Sequence, residues 1–165
     1  MDNKLKILLI GQPNVGKSSL LNSLVGPKVI ISNYPGTTVE LTKAKKVFRD
    51  TEINFVDTPG IYSISDRSQE EKVTEKVLFE SDADGAVVMI DATSLERSLY
   101  LVLQILEAET PMVIALNFLE EAQQRGVEIN YKKLSRLLKV PVVPINAVTG
   151  EGTDELLNKI FQIGP

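Results

Sequence analysis

Gly11-Gln12-Pro13-Asn14-Val15-Gly16-Lys17-Ser18 matches the pattern G-x-x-x-x-G-K-[ST] and sits between two segments of different periodicity. Ahead of it, Lys6–Ile10 is a short apolar run, which predicts a buried strand. Behind it, Lys17–Val25 spaces Leu20, Leu21 and Leu24 as one helical face. A strand, a glycine-bounded turn and a helix form an anion cradle. Glycines let the backbone turn its N–H groups towards phosphate oxygens, and the helix start adds partial positive charge. Gly11, Pro13, Asn14, Val15 and Gly16, with Lys17, Ser18 and Ser19 entering the helix, are the expected phosphate-binding residues. Lys17 is expected to reach the β- and γ-phosphates and the Ser18 hydroxyl to hold Mg²⁺. A chance match in a chain of this length has a frequency on the order of a few per thousand.

Further along the chain, strand and helix patterns alternate. Gly26–Thr38 carries Pro27, Pro35 and Gly36 and reads as a loop. Thr42–Phe48 and Glu52–Val56 read as a strand pair, and Asp57–Arg67 as a second loop. Ser68-Gln-Glu-Glu71 has the form of a capping box opening a helix to about Glu80. Gly85–Ile90 and Met112–Leu116 are buried strands, with Leu95, Leu99, Val102, Leu103 and Leu106 on a helical face between them. Helical pieces follow at Glu120–Arg125 and Tyr131–Leu138, then a strand at Val142–Ile145 and a helix at Asp154–Phe161. This order predicts a three-layer α/β domain, with a mostly parallel six-stranded sheet and helices on both faces, covering residues 1–165. Its ligand is expected beyond the carboxyl ends of the strands.

Composition narrows the chemistry. The 165 residues are 43% hydrophobic and 24% charged, as in an ordinary globular domain. A net charge of −4 gives no footprint for nucleic acid or an anionic membrane surface. With no cysteine and no histidine, disulfides and nitrogen- or sulfur-ligated zinc are excluded. A hard cation held by oxygens is not. The N-terminal MDNKLKILLIG does not have the form of a signal peptide, and no apolar run approaches the roughly 20 residues of a membrane helix. The runs Lys43-Ala-Lys45-Lys46 and Glu70-Glu71 read as solvated faces.

Three further groups suit a nucleotide. Asp57 ends a strand and opens Asp57-Thr-Pro-Gly60. Its carboxylate is placed to hold Mg²⁺, and the bare Gly60 N–H can approach a γ-phosphate. Thr37 and Thr38 lie in Asn33-Tyr-Pro-Gly-Thr-Thr38, where the Thr38 hydroxyl could complete the Mg²⁺ shell while a γ-phosphate is present. Asn117 follows a strand, and Glu120 lies where guanine readers carry an aspartate. Phe118 replaces the usual lysine, Ala147 offers its N–H for guanine O6, and Asn146 stands where serine is common. Ile61 occupies the place of a water-orienting glutamine, which predicts slow hydrolysis. Asn14 suits either a K⁺ ion bridging phosphates or the turn geometry alone.

Taken together, GQPNVGKSSLLNSL, NYPGTTVE, DTPGIYSISDRSQEEKV, DATSLERSLYLVLQILE, NFLEEAQQRG and PVVPINAVTGEG resemble the cytoplasmic G domain of the ferrous iron transport protein B (FeoB) family. The second loop with its following helix and the DATSLER run carry the most specific part of the likeness. The resemblance spans Lys4 to about Leu157. It implies a Ras-like P-loop GTPase fold that takes GTP or GDP with Mg²⁺ and hydrolyses GTP slowly. It also implies K⁺ stimulation through Asn14, with Asn14, Lys17, Thr38 and Gly60 serving catalysis. The domain would be the cytoplasmic part of a prokaryotic plasma-membrane protein for Fe²⁺ uptake. Its expected partners are guanine nucleotide, the membrane permease portion and further copies of the chain, but not nucleic acid. The helical spacer and membrane domain of the family are absent from this chain. Two other readings compete: a soluble ribosome-assembly GTPase of the Era type, and a nucleotide-dependent switch without significant hydrolysis.

Overall fold

The computed structural model describes residues 3–65 and 67–165. Met1 and Asp2 of the N-terminal stretch, and Asp66 of the second loop, lie outside the described residues. In chain order the elements are β1 (Asn3–Gly11), α1 (Lys17–Val25), β2 (Ile30–Asn33), β3 (Glu40–Phe48), β4 (Thr51–Asp57) and α2 (Gln69–Glu80). There follow β5 (Gly85–Asp91), a 3₁₀ turn (Ala92–Ser94), α3 (Leu95–Glu107), β6 (Met112–Asn117), α4 (Leu119–Gln124), α5 (Tyr131–Leu138), β7 (Val142–Pro144) and α6 (Thr153–Ile163).

The strands form one sheet in the order β2-β3-β4-β1-β5-β6-β7. β4, β1, β5, β6 and β7 are parallel, while β2–β3 and β3–β4 are antiparallel. The parallel core is covered on both faces, which is why β5 and β6 are apolar almost throughout. Alternation assigns each side chain to a layer. Ile7 and Leu9 of β1 join Leu20, Leu21, Leu24, Leu156 and Ile160 on the α1/α6 face. Leu8 and Ile10 join Val73, Val77, Leu101, Val102 and Ile105 on the α2/α3 face. Leu101, Val102 and Ile105 are essentially inaccessible, and each such side chain contributes about 1.5–3 kcal/mol of burial.

The three-layer, mostly parallel architecture is as expected, with one correction: the sheet has seven strands, not six. The additional strand is β2, inside the stretch Gly26–Thr38 read as a loop. All four of its residues are exposed, and it pairs with β3 from Ile30↔Lys43 to Asn33↔Glu40. An edge strand held by ladder hydrogen bonds, with no buried face, leaves no apolar periodicity to read. The β3–β4 hairpin turns through Arg49 and Asp50, both at positive φ, the form that matches strand twist in two-residue loops. Ser68 caps α2 by accepting from the Glu71 N–H at 3.1 Å, while the Glu71 carboxylate accepts from Ser65 instead of closing the box. No helix among the described residues is long and apolar enough to cross a membrane.

Candidate functional site

After β1 the chain leaves to one face through α1, and after β4 it leaves to the other through α2. The chain thus leaves the carboxyl ends of these two neighbours towards opposite faces of the sheet, the topological switch point at which open α/β sheets take ligands. The phosphate-loop motif occupies the β1 side. Asn14 takes φ 63° and Gly16 φ 106°, so two residues of the motif sit in the left-handed region and turn the chain into α1. A Cβ on Gly16 would lie 2.6 Å from Asn117 Nδ2, so the turn admits only glycine there. Pro13, Asn14 and Ser18 are exposed, whereas Gly11 and Val15 are buried. The Asn14 and Ser18 side chains make no hydrogen bond among the described residues.

Asp57, the last residue of β4, lies in register with Leu9 of β1. Its Oδ1 is 3.4 Å from Lys17 Nζ, and the two side chains are only 11% and 10% exposed. Burial pushes the Asp57 carboxyl above the ordinary carboxylate range, and the Lys17 charge draws it only partly back. Lys17 is an ion-pair partner at 3.4 Å, and beyond it Oδ1 has no hydrogen-bond partner among the described residues. A buried carboxylate oxygen with an unused lone pair is a hard oxygen donor of the kind Mg²⁺ takes, and Ser18, next to Lys17 in sequence at the start of α1, carries a second.

The loop after Asp57 is tied to the phosphate loop. Thr58 donates from both N–H and Oγ1 to the Leu9 carbonyl, at 3.1 and 2.7 Å. A Cβ on Gly60 would come within 2.8 Å of Pro13 Cα, so the two backbones touch. The Ile61 N–H donates to the Gly11 carbonyl at 3.0 Å, and the Ile61 side chain is buried in the α2/α3 core. Thr37 and Thr38 differ in role. Thr37 Oγ1 donates to the Tyr34 carbonyl and accepts from the Val39 N–H, which holds the turn. Thr38 is exposed and makes no hydrogen bond to the phosphate loop among the described residues.

The base-reading candidates come from the ends of β6 and β7. Buried Asn117 donates through Nδ2 to the Val15 carbonyl at 3.1 Å and accepts from the Ala147 N–H at 3.3 Å. It thus ties the phosphate loop to the loop after β7. Glu120 is exposed in the first turn of α4, and Phe118 precedes it at φ 64°. Glu120, Asn117, Phe118 and Asn146 line one cavity of about 540 Å³. Asn146 Oδ1 accepts from the N–H groups of Val148 and Thr149, both at 3.1 Å. A serine side chain, one bond shorter, would hold that turn less fully.

A larger cavity of about 910 Å³ is bordered by Lys4, Lys28, Lys43 and Phe55 and includes no residue of the motifs above. Convergent chemistry, not volume, locates the site. Sequence reading missed the residues that brace it: Gln12, whose Nε2 donates to the Arg97 carbonyl at 2.9 Å, and Ser23, whose Oγ donates to the Ala147 carbonyl at 2.6 Å. These bonds join positions 85 and 124 residues apart, so no local pattern signals them.

Comparison with known proteins bears on the family and the fold. A family model described as ferrous iron transport protein B matches residues 5–160. The Fe(2+) transporter FeoB of Campylobacter jejuni is 41% identical over 158 residues, which cover 96% of this chain and 26% of the relative. The chain thus spans about a quarter of that relative's length. The crystal structure of the cytosolic domain of the T. maritima FeoB iron transporter in a GDP form has TM-score 0.93 and 40% identity, covering 97% of this chain and 63% of the other. The G domain of the same T. maritima transporter has TM-score 0.91 and 38% identity, covering 98% of this chain and 99% of the other.

Proposed function

This chain belongs to the ferrous iron transport protein B family, and we propose from that premise that it binds guanine nucleotide and hydrolyses GTP slowly to govern Fe²⁺ passage through a membrane-spanning portion. The observation that carries the reading is the convergence of the phosphate loop, Asp57 and Asn117 at the carboxyl ends of β1, β4 and β6, joined by direct contacts.

Lys17 would leave Asp57 for the β- and γ-phosphates, and the N–H groups of the phosphate loop would hold the remaining oxygens. Ser18 and Asp57, joined by Thr38 from its loop, would hold Mg²⁺, whose role when bound is to neutralise charge on the phosphate oxygens. Asn14, whose side-chain carbonyl has no hydrogen-bond partner among the described residues, would offer an oxygen to K⁺ beside the phosphates. The Gly60 N–H would meet the γ-phosphate, Glu120 would accept from guanine N1–H and its exocyclic amine, and Phe118 would lie along the base. With Ile61 turned into the core, no side chain at that position orients the attacking water. Slow turnover follows, since such positioning supplies a large part of phosphoryl-transfer catalysis.

The first test is calorimetry of GTP, GDP and ATP with Mg²⁺ and K⁺, on wild type and Glu120→Asp. Guanine nucleotides should win, and the shorter acid should tighten them. Equal binding of ATP, with no effect of Glu120→Asp, would remove the guanine assignment. The buried Ile61 also favours a second reading, a switch that binds without significant hydrolysis. Single-turnover phosphate release separates the two. Release faster in K⁺ than in Na⁺ is expected; none above buffer leaves only the switch, and equal rates in both salts remove the Asn14 role.

A further inference from the structure

The two runs that carry the most specific part of the resemblance, YSISDRSQEEKV from Tyr62 and DATSLERSLYLVLQILE from Asp91, take no part in the nucleotide chemistry described above. The fold nevertheless brings them into contact. Gln104, half-buried on α3, accepts from the Ile64 N–H through Oε1 at 2.7 Å and donates from Nε2 to the Ile64 carbonyl at 3.1 Å. Two turns earlier on the same helix, the Arg97 guanidinium lies 4.4 Å from the centroid of the Tyr62 ring. The Arg97 carbonyl in turn accepts from Gln12 of the phosphate loop. Positions 97, 101 and 104 follow the i, i+4, i+7 spacing of one helical stripe, and Leu101 roots that stripe in the core. One face of α3 therefore grips both the phosphate loop and the loop that follows Gly60.

We propose that Gln104 is a positioning residue for γ-phosphate recognition: it fixes the segment after Gly60 on α3 and so keeps the Gly60 N–H beside the phosphate loop. The assignment rests on the GTPase reading above. A primary amide is suited to the task because it carries a donor and an acceptor on one terminus, and so satisfies both backbone groups of a single residue. Ile61, at the other end of the segment, is bonded to the Gly11 carbonyl. Residues 61–64 are thus tethered at both ends, to the phosphate loop and to α3. GDP has no γ-phosphate and makes no demand on Gly60, so a loosened tether penalises the triphosphate selectively.

The test uses this chain with Gln104→Leu, which removes both bonds at similar volume, and Gln104→Glu, which keeps an acceptor for the Ile64 N–H but loses the donor. Hydrogen exchange at the Ile64 amide should quicken roughly tenfold in Gln104→Leu, as expected for loss of one to two hydrogen bonds from a local opening unit. Affinity for GDP should stay at the wild-type value. Affinity for the non-hydrolysable triphosphate GMPPNP should fall, and kcat for GTP should drop roughly tenfold or more, the size expected of a misplaced positioning group. Gln104→Glu should fall between wild type and Gln104→Leu in both exchange and kcat. An unchanged exchange rate at Ile64 overturns the tether. Faster exchange with an unchanged GMPPNP-to-GDP affinity ratio, or an equal loss of both nucleotides, reduces Gln104 to a structural residue. If wild type releases no phosphate, the GTPase reading fails on its own, and the affinity ratio still decides the role of Gln104.

Discussion

Ile61 shows how one residue sets the limits of a site. Its side chain is 3% exposed, and its N–H is spent on the Gly11 carbonyl, so neither is available to a water molecule at the γ-phosphate. Restoring a glutamine there is therefore expected to fail as a gain of function. Ile61→Gln would place an amide in the apolar cluster on the α2/α3 face, at a cost of about 1–3 kcal/mol if it finds no partner there. Urea unfolding should show the loss, and single-turnover hydrolysis should not speed up. A variant as stable as wild type that hydrolyses GTP faster would mean that the side chain can swing out of the core, against the packing seen here. The same residue separates what is legible in sequence from what is not. That position 61 lacks a polar side chain is evident from the letter alone. That its N–H is also engaged depends on Gly11, 50 positions away, and only the fold reveals it.

At the scale of elements, legibility follows burial. Helices and strands that bury a face announce themselves: α3 by its apolar spacing, β5 and β6 by unbroken apolar runs, α2 by the Ser68 cap that the structure keeps. β2 was invisible because its stability lies in backbone pairing with β3 while Ile30 and Ile31 stay in solvent, 68% and 60% exposed. The candidate site divides in the same way. Turn-and-terminus motifs, the phosphate loop after β1, Asp57 at the end of β4 and Asn117 at the end of β6, could be read because glycine turns and polar residues ending apolar strands are local patterns. The ties between elements could not. Gln104 reads as one more polar residue of an amphipathic helix until Ile64 is found against it, 40 residues away in sequence.

For the whole molecule, the consequence is that the site exists only when the sheet does. Lys17, Asp57, Asn117 and Ala147 are spread over most of the chain and meet because β4, β1, β5, β6 and β7 run parallel with their carboxyl ends together. The unfolded chain has no such constellation, so on the proposed reading nucleotide would bind the native state alone and stabilise it by mass action. At a hundredfold excess of GDP over its Kd the gain is about 2.7 kcal/mol. For a domain of this size that corresponds to a rise in Tm of roughly 5–10 °C. ATP at the same concentration should give a smaller shift, because Glu120 and the loop after β7 would meet the wrong base edge. Lys17→Ala separates binding from folding. Lys17 is no part of either apolar core, so the nucleotide-free variant should melt cooperatively, lowered only by the loss of a countercharge for buried Asp57. Its shift with GDP should be abolished, because no other side chain of the loop carries positive charge to the phosphates. Thermal melts of both proteins with and without Mg²⁺-GDP measure this directly. If Lys17→Ala keeps the full GDP shift, the ligand is held somewhere other than the end of β1, and the phosphate-loop assignment falls with it.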